Sequence, residues 1–426
     1  MKNYRHSFLF TLMVLLSVSA HAQTNTFLGD GLFGGAVANE GAVTGTNNSA
    51  FGSDALEALT EGNDNTAVGF EALELNSTAK FNTAVGSFAL QNNNGNNNSA
   101  FGHASLQMNT SGRFNTGIGI FALNQNTSGI GNTAVGHTAL ENNTSGMDNT
   151  ALGTLALRGN TTGEGNTGLG RRALEMNAGG LFNTAVGADA LNRNTTGGNN
   201  NSAFGYAALE KNLTGKTNVA VGNFTLQENT EGGANVAVGY LALNRNVTGL
   251  KNTAIGNQAL RRSKGSNNTA VGSTALTRAT TGNLNTAVGS QALETNTIGS
   301  KNTAVGNKVL QANLSGQNNS GFGLSALESN FSGKQNTGFG TKSLSNNTTG
   351  DNNTGFGGNS LLTNVTGNDL TGVGYLADVA MDGLENATAV GFASTVAASN
   401  AIRFGNPQVM SIEGQVNFTA VSDRKF

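Results

Sequence analysis

Two histidines, His103 and His137, and scattered carboxylates such as Glu74, Glu141, Glu294 and Asp351 are the side chains best suited to acid–base or metal chemistry beyond residue 22 of this chain. Each histidine follows a glycine of a repeating pattern, two repeats from the other, so stacking the repeats separates them by roughly 10 Å. That is too far for them to share a metal ion. The carboxylates fall at positions that vary from repeat to repeat, so no pair is held face to face as glycoside hydrolysis requires. Gly117-Ile118-Gly119 and its equivalents lack the Lys-Ser/Thr pair of a phosphate-binding loop. Calcium-binding nonapeptide repeats need an Asp at a fixed place, and none is fixed. There is no cysteine, which removes disulfides, thiolate metal sites and cysteine nucleophiles. Formal net charge is only -2, from 23 basic and 25 acidic residues, so no basic field exists to hold nucleic acid. The expectation is a protein with no catalytic residues, metal or cofactor.

What must position any functional group is the repeat. The stretch from Asn285 to Lys301 reads NTAVGSQALETNTIGSK, and at Asn302 it begins again with NTAVG. The glycine closing each N-T-A-V-G recurs 21 times between Gly52 and Gly391. Seventeen of the twenty intervals are 17 residues; Gly86 to Gly102 and Gly256 to Gly272 are 16, and Gly187 to Gly205 is 18. The variable lengths all fall between the Leu of one unit and the Asn of the next, which marks a surface turn.

Numbering each unit from its Asn as slot one exposes the constraints. Slot two is always Thr, Ser or Val, slot four always a large apolar residue such as Val68 or Val288, and slot five always Gly, as at Gly69 and Gly289. Slot nine is Leu in 19 of 21 units, as at Leu73 and Leu293. Period-two alternation puts slots two and four on one face of a strand, and we expect slots four and nine to build the core. The unvarying Gly implies positive φ or close backbone approach at a corner. Slot three is Ala or Gly in every unit, Ala67 and Ala287 among them, so something packs tightly against it. Either another wall of the same coil or a neighbouring chain satisfies that requirement.

The second half of each unit, x-x-A-L-x-x-N-T-T-G, reads as a further strand, with a single helical turn as the alternative. Its closing Asn and Gly suit the turn that returns the chain by one layer. No unit can bury its own apolar face, whereas stacked units can, with strands about 4.8 Å apart. The predicted fold is therefore all-β, a parallel β-solenoid of about 21 repeats. Twenty steps give a rod on the order of 100 Å long. Asn at slot one in 19 units and at slot twelve in 16 would stack into hydrogen-bonded ladders. A disordered low-complexity chain is the competing reading, but disorder imposes no slot character through 21 copies.

Lys2 and Arg5, the apolar run Phe8 to Val18 and Ala20-His21-Ala22 have the pattern of a secretory signal peptide, too short in its apolar part to span a bilayer. The expected organisation is a signal peptide over 1–22, an N-terminal cap over 23–47, the solenoid over 48–391 and closing strands over 392–426. Gln415 to Phe418 reads as a short strand at the end.

The N-T-A-V-G units resemble the N-S-V-A-I-G repeats of YadA-like heads, the β-roll heads of trimeric autotransporter adhesins. The likeness covers Asn48 to about Gly405, with a unit of 17 rather than 14 residues. It implies a homotrimer at the cell surface in which the small slot-three residues face partner chains. The run from Asn400 to Phe426 resembles the junction before the intramolecular chaperone domain of endosialidase-type tail-fibre proteins. That family is cut at a Ser-Asp bond, which Ser422-Asp423 matches. The functional expectation is an exported surface fibre or adhesin for a cell, surface or glycan ligand, without catalysis. An ice- or mineral-binding solenoid is the alternative, through Thr66, Thr83, Thr133 and their equivalents, although a slot-two side chain on the core face would not reach a lattice. A tail-fibre-like carbohydrate-binding protein is the other.

Overall fold

The three-residue run Thr-Ala-Val favours extended backbone at its β-branched ends, and in the computed structural model of the chain it forms a strand in every repeat. The structure describes residues 25–28 and 43–411. The expected signal peptide, most of the expected N-terminal cap, Gln415 to Phe418 and the Ser422-Asp423 bond lie outside them. Two compact units divide the chain, Met1–Ala234 and Asn235–Phe426.

Each unit is a parallel β-solenoid, and the described residues contain no helix. In the first unit twelve strands run from Thr26–Leu28 to Val219–Val221. Pairing is slot on slot: Thr66 meets Thr83, Ala67 meets Ala84 and Val68 meets Val85. The second unit carries eleven such strands, from Val236–Val238 to Ile402–Phe404, with Thr286, Ala287 and Val288 opposite Thr303, Ala304 and Val305. Over both units the spacing of roughly 17 residues gives about 21 turns, as the repeat implies.

The interior differs from the expectation at slot four. Slot three, not slot four, points inward: Ala67, Ala84, Ala287 and Ala304 are fully buried, while Val68 and Val288 are 36 % and 37 % exposed. Slots two and four do share a face, but it is the outer one. The wall facing slot three belongs to the same coil. A β-carbon added at Gly338 would meet the Ser343 carbonyl oxygen at 3.1 Å and Leu327 Cγ at 3.2 Å. Slots three, eight and nine therefore form the apolar core, with Leu73 and Leu293 fully buried as expected. This replaces the interchain account of slot three. Ala287→Leu is accordingly expected to cost about 1–3 kcal/mol through overpacking. Thermal melting should fall while the mass measured by light scattering stays the same; an altered mass with unaltered melting would contradict this packing.

The second half of the unit is neither strand nor helical turn through most of the solenoid. Slot seven has positive φ in every layer, as at Glu71 (54°), and so does slot nine wherever it is Leu, as at Leu73 (53°). The residue before slot one does as well, as at Asp64 (57°). These flips aim successive peptides alternately at the layers on either side. Glu71 N–H donates to the Ser53 carbonyl at 2.9 Å, and Leu73 N–H donates to the Ala89 carbonyl at 3.0 Å. A left-handed Leu costs about 1–2 kcal/mol, which its burial, at about 1.5–3 kcal/mol, offsets. Only near the end of the second unit, where Asp378 and Thr395 replace that Leu, does this half become a strand pair, Asp378–Val379 with Thr395–Val396.

The two Asn columns are internal and form the expected ladders. In one layer Asn132 and Asn143 both donate from Nδ2 to the Gly146 carbonyl, at 2.8 and 3.0 Å, tying the start of the strand to the return turn. Along the stack Asn132 Nδ2 donates to Asn115 Oδ1 at 3.1 Å, and Asn143 Nδ2 donates to Asn126 Oδ1 at 2.8 Å. Shortened layers break the second ladder. Asn93 sits in a 16-residue interval and donates to the Gly95 carbonyl at 2.8 Å, which leaves the buried Asn76 Oδ1 without a partner. In the other, Ser263 takes the Asn position and its buried hydroxyl is unpartnered.

Candidate functional site

Because slot three is consumed by the core, whatever the solenoid presents to another molecule must come from the remaining slots. The flattest presentation is the outer face of the strands. Slot two supplies a hydroxyl in ten consecutive layers from Ser49 to Ser202, and in nine from Thr253 to Thr388. None of these hydroxyls is hydrogen-bonded among the described residues. Thr127 and Thr144, in the return turn, behave otherwise: their hydroxyls donate to the next layer's carbonyl at 2.9 and 3.0 Å. Beside the free hydroxyls runs the slot-four column, a line of apolar side chains at a spacing of about 4.8 Å. Sequence reasoning placed this column inside and so missed the most continuous exposed surface.

Its side chains are chemically alike but not equal in size. Phe322, Phe339 and Phe356 stack in successive layers of the second unit, with ring centroids 5.6 and 4.9 Å apart. In the first unit a second aromatic line follows the Gly corner, where Phe70, Phe88, His103 and Phe121 contact edge to face at 5.4, 5.6 and 5.4 Å. His103 is thus a ring among rings, and His137 stands apart from it with its carbonyl accepting from the Thr138 hydroxyl at 2.8 Å.

Slot ten builds a polar edge on the turn side. Gln91 Nε2 bridges the Glu71 and Glu74 carboxylates at 2.5 and 2.7 Å, and Gln107 Nε2 continues the chain to Gln91 Oε1 at 2.8 Å. Burial first, then the charge and hydrogen bonding of Glu74, push the Glu71 carboxyl above its usual value. Further along, Arg172 Nε pairs with Glu175 at 2.7 Å and Arg158 approaches the same carboxylate at 3.4 Å. Burial works to raise the Glu175 pKa, but hydrogen bonds from Arg172 and Asn192 and the two guanidinium charges outweigh it and hold it low. A depressed carboxyl contributes stability above its unfolded pKa and loses it as pH falls through the folded value. Glu175→Gln should therefore narrow the stability difference between pH 7 and pH 3 in urea titrations; an unchanged difference would show that the network carries none of it.

Among the described residues no three or more His, Cys, Asp or Glu side chains gather where they could hold a metal ion. Glu141, Glu294 and Asp351 remain on separate layers of the two units. No helix among the described residues is long and apolar enough to cross a membrane. No protein-family model matches the chain, and no curated protein matches it significantly.

Proposed function

We propose that the chain is an exported, cell-surface structural fibre that works by adhesion, without catalysis of its own, and assembles as a homotrimer. The observation that carries this reading is the outer strand face, where within each unit the layers turn a large apolar side chain away from the core and into register with one another. A partner lying along many layers must repeat at the same rise, and a second copy of the chain does so by construction. Variation from Val to Phe along the column suits a deformable protein partner better than a rigid lattice. The export pattern of residues 1–22 and the resemblance of the repeats to YadA-like heads support the surface location.

The test is the solution mass of residues 23 to 426 by light scattering, with saturable attachment to cells, matrix or glycans. Val288→Lys combined with Val305→Lys should leave the solenoid folded, since both side chains point outward, and should lower the mass from three chains to one. A monomeric parent that attaches to nothing would remove the reading.

The free slot-two hydroxyls favour a second reading, a face for ice or a mineral. The objection that slot two lies on the core side is gone, because it lies outside. Thermal hysteresis in the purified protein is the measurement, and its absence ends this option.

A further inference from the structure

We propose that a groove on the turn side of the second unit binds a glycan carrying a free amine, such as a glucosamine residue. The groove is a solvent-open depression with a volume of about 530 Å³, lined by Thr295, Gln311, Ala312, Leu314, Glu328, Ser329 and Phe331. This inference rests on the adhesive reading and supplies it with a ligand class.

Three features meet there. Phe331 occupies slot thirteen, where no other layer has an aromatic residue, and the residue is 51 % exposed. Thr297 and Thr348 are its equivalents nearby, and their hydroxyls donate to the next layer's carbonyl at 2.9 and 3.1 Å. Phe331 forfeits that bond and gives the groove an apolar wall. The Glu328 carboxylate, in the slot-ten column, has no hydrogen-bond or ion-pair partner among the described residues. The neighbouring Gln311 amide is committed to Glu294 at 2.8 Å. No Lys or Arg lines the groove, and Glu328 is the one charged side chain among its lining residues. An aromatic wall beside a free carboxylate is complementary to an ammonium group, through ion pairing and cation–π attraction. The Ser329 side chain adds an oxygen to the lining, while the Thr295 hydroxyl donates to the Gln311 carbonyl at 2.6 Å. The volume suits one or two sugar rings better than a folded protein surface.

The chain supplies its own controls. Glu328→Gln installs the residue found one layer away at Gln311, and Phe331→Thr installs that found at Thr348, so both variants should fold and melt like the parent. Titration calorimetry with glucosamine oligomers should give saturable binding that weakens with salt. The fully N-acetylated oligomers, lacking the charge, should bind at least tenfold more weakly. Glu328→Gln should lower affinity about tenfold, and Phe331→Thr severalfold. Equal binding of both oligomers, no binding at millimolar concentration, or unchanged affinity in Glu328→Gln would overturn the proposal. A trimer that attaches to surfaces yet ignores glucosamine would sink this inference alone, whereas a monomer attaching to nothing would sink the adhesive reading itself.

Discussion

Asn302→Asp, a change of one amide nitrogen to oxygen, is expected to destabilise the second unit by on the order of 3–5 kcal/mol at pH 7. Asn302 is fully buried and uses every atom of its amide. Nδ2 donates to Asn285 Oδ1 at 3.2 Å and to the Gly316 carbonyl at 2.9 Å, while Oδ1 accepts from the Asn319 N–H at 3.0 Å and its Nδ2 at 3.2 Å. The carboxylate keeps the second pair of bonds. It loses both donors, sets oxygen against oxygen on the other side and brings an uncompensated charge into the interior. Burial raises the folded pKa of the new carboxyl above its unfolded value near 3.9. The penalty is therefore full above the folded pKa and shrinks as pH falls through it, because the protonated acid regains one donor. Urea melts at pH 7 and pH 4 should show the deficit narrowing on acidification. An equal deficit at both, or none at pH 7, would mean that the ladder is not the closed interior described.

Gly289→Ala should be nearly as severe, at about 3 kcal/mol or more. Gly289 has φ of 135°, outside the regions open to L side chains. Its added methyl would stand 2.6 Å from the Gly306 carbonyl carbon and closer still to the oxygen. Backbone of the next layer is what it meets, so no rotamer change relieves the contact. Ser290→Ala, one position on, should fall within about ±0.5 kcal/mol. If the two variants melted alike, the corner would not be the constraint assigned to it.

Much of this architecture could be read from the repeat, because stacking makes each slot report its own environment many times over. The corner Gly followed from an unvarying residue, and the buried Leu and the Asn ladders from residues that recur in most units. Slot four did not, and the reason is instructive. Apolar character alone does not mark an interior position: side-chain size along that column runs from Val135 to Phe101, a range a tightly packed interior does not tolerate. Slot three varies only between Ala and Gly, and slot nine is almost always Leu. Constancy of volume, not hydrophobicity, was the signal for the core. The turn half escaped a different way: Leu in a left-handed conformation is too uncommon for residue preferences to indicate it. The groove at Phe331 and Glu328 breaks the pattern in one layer, so it becomes visible only when neighbouring layers are placed beside it.

The left-handed backbone at three places in each layer that carries Leu at slot nine also bears on how such a chain is born. A single rung carries that strain with no neighbour to accept its outward-aimed peptides, so an isolated turn is unstable. Coiling must start from a rare nucleus of several rungs and then advance one rung at a time, each new one templated by the last. Within a unit, loss of order should run the same route in reverse, fraying inward from the outermost turn while the middle persists.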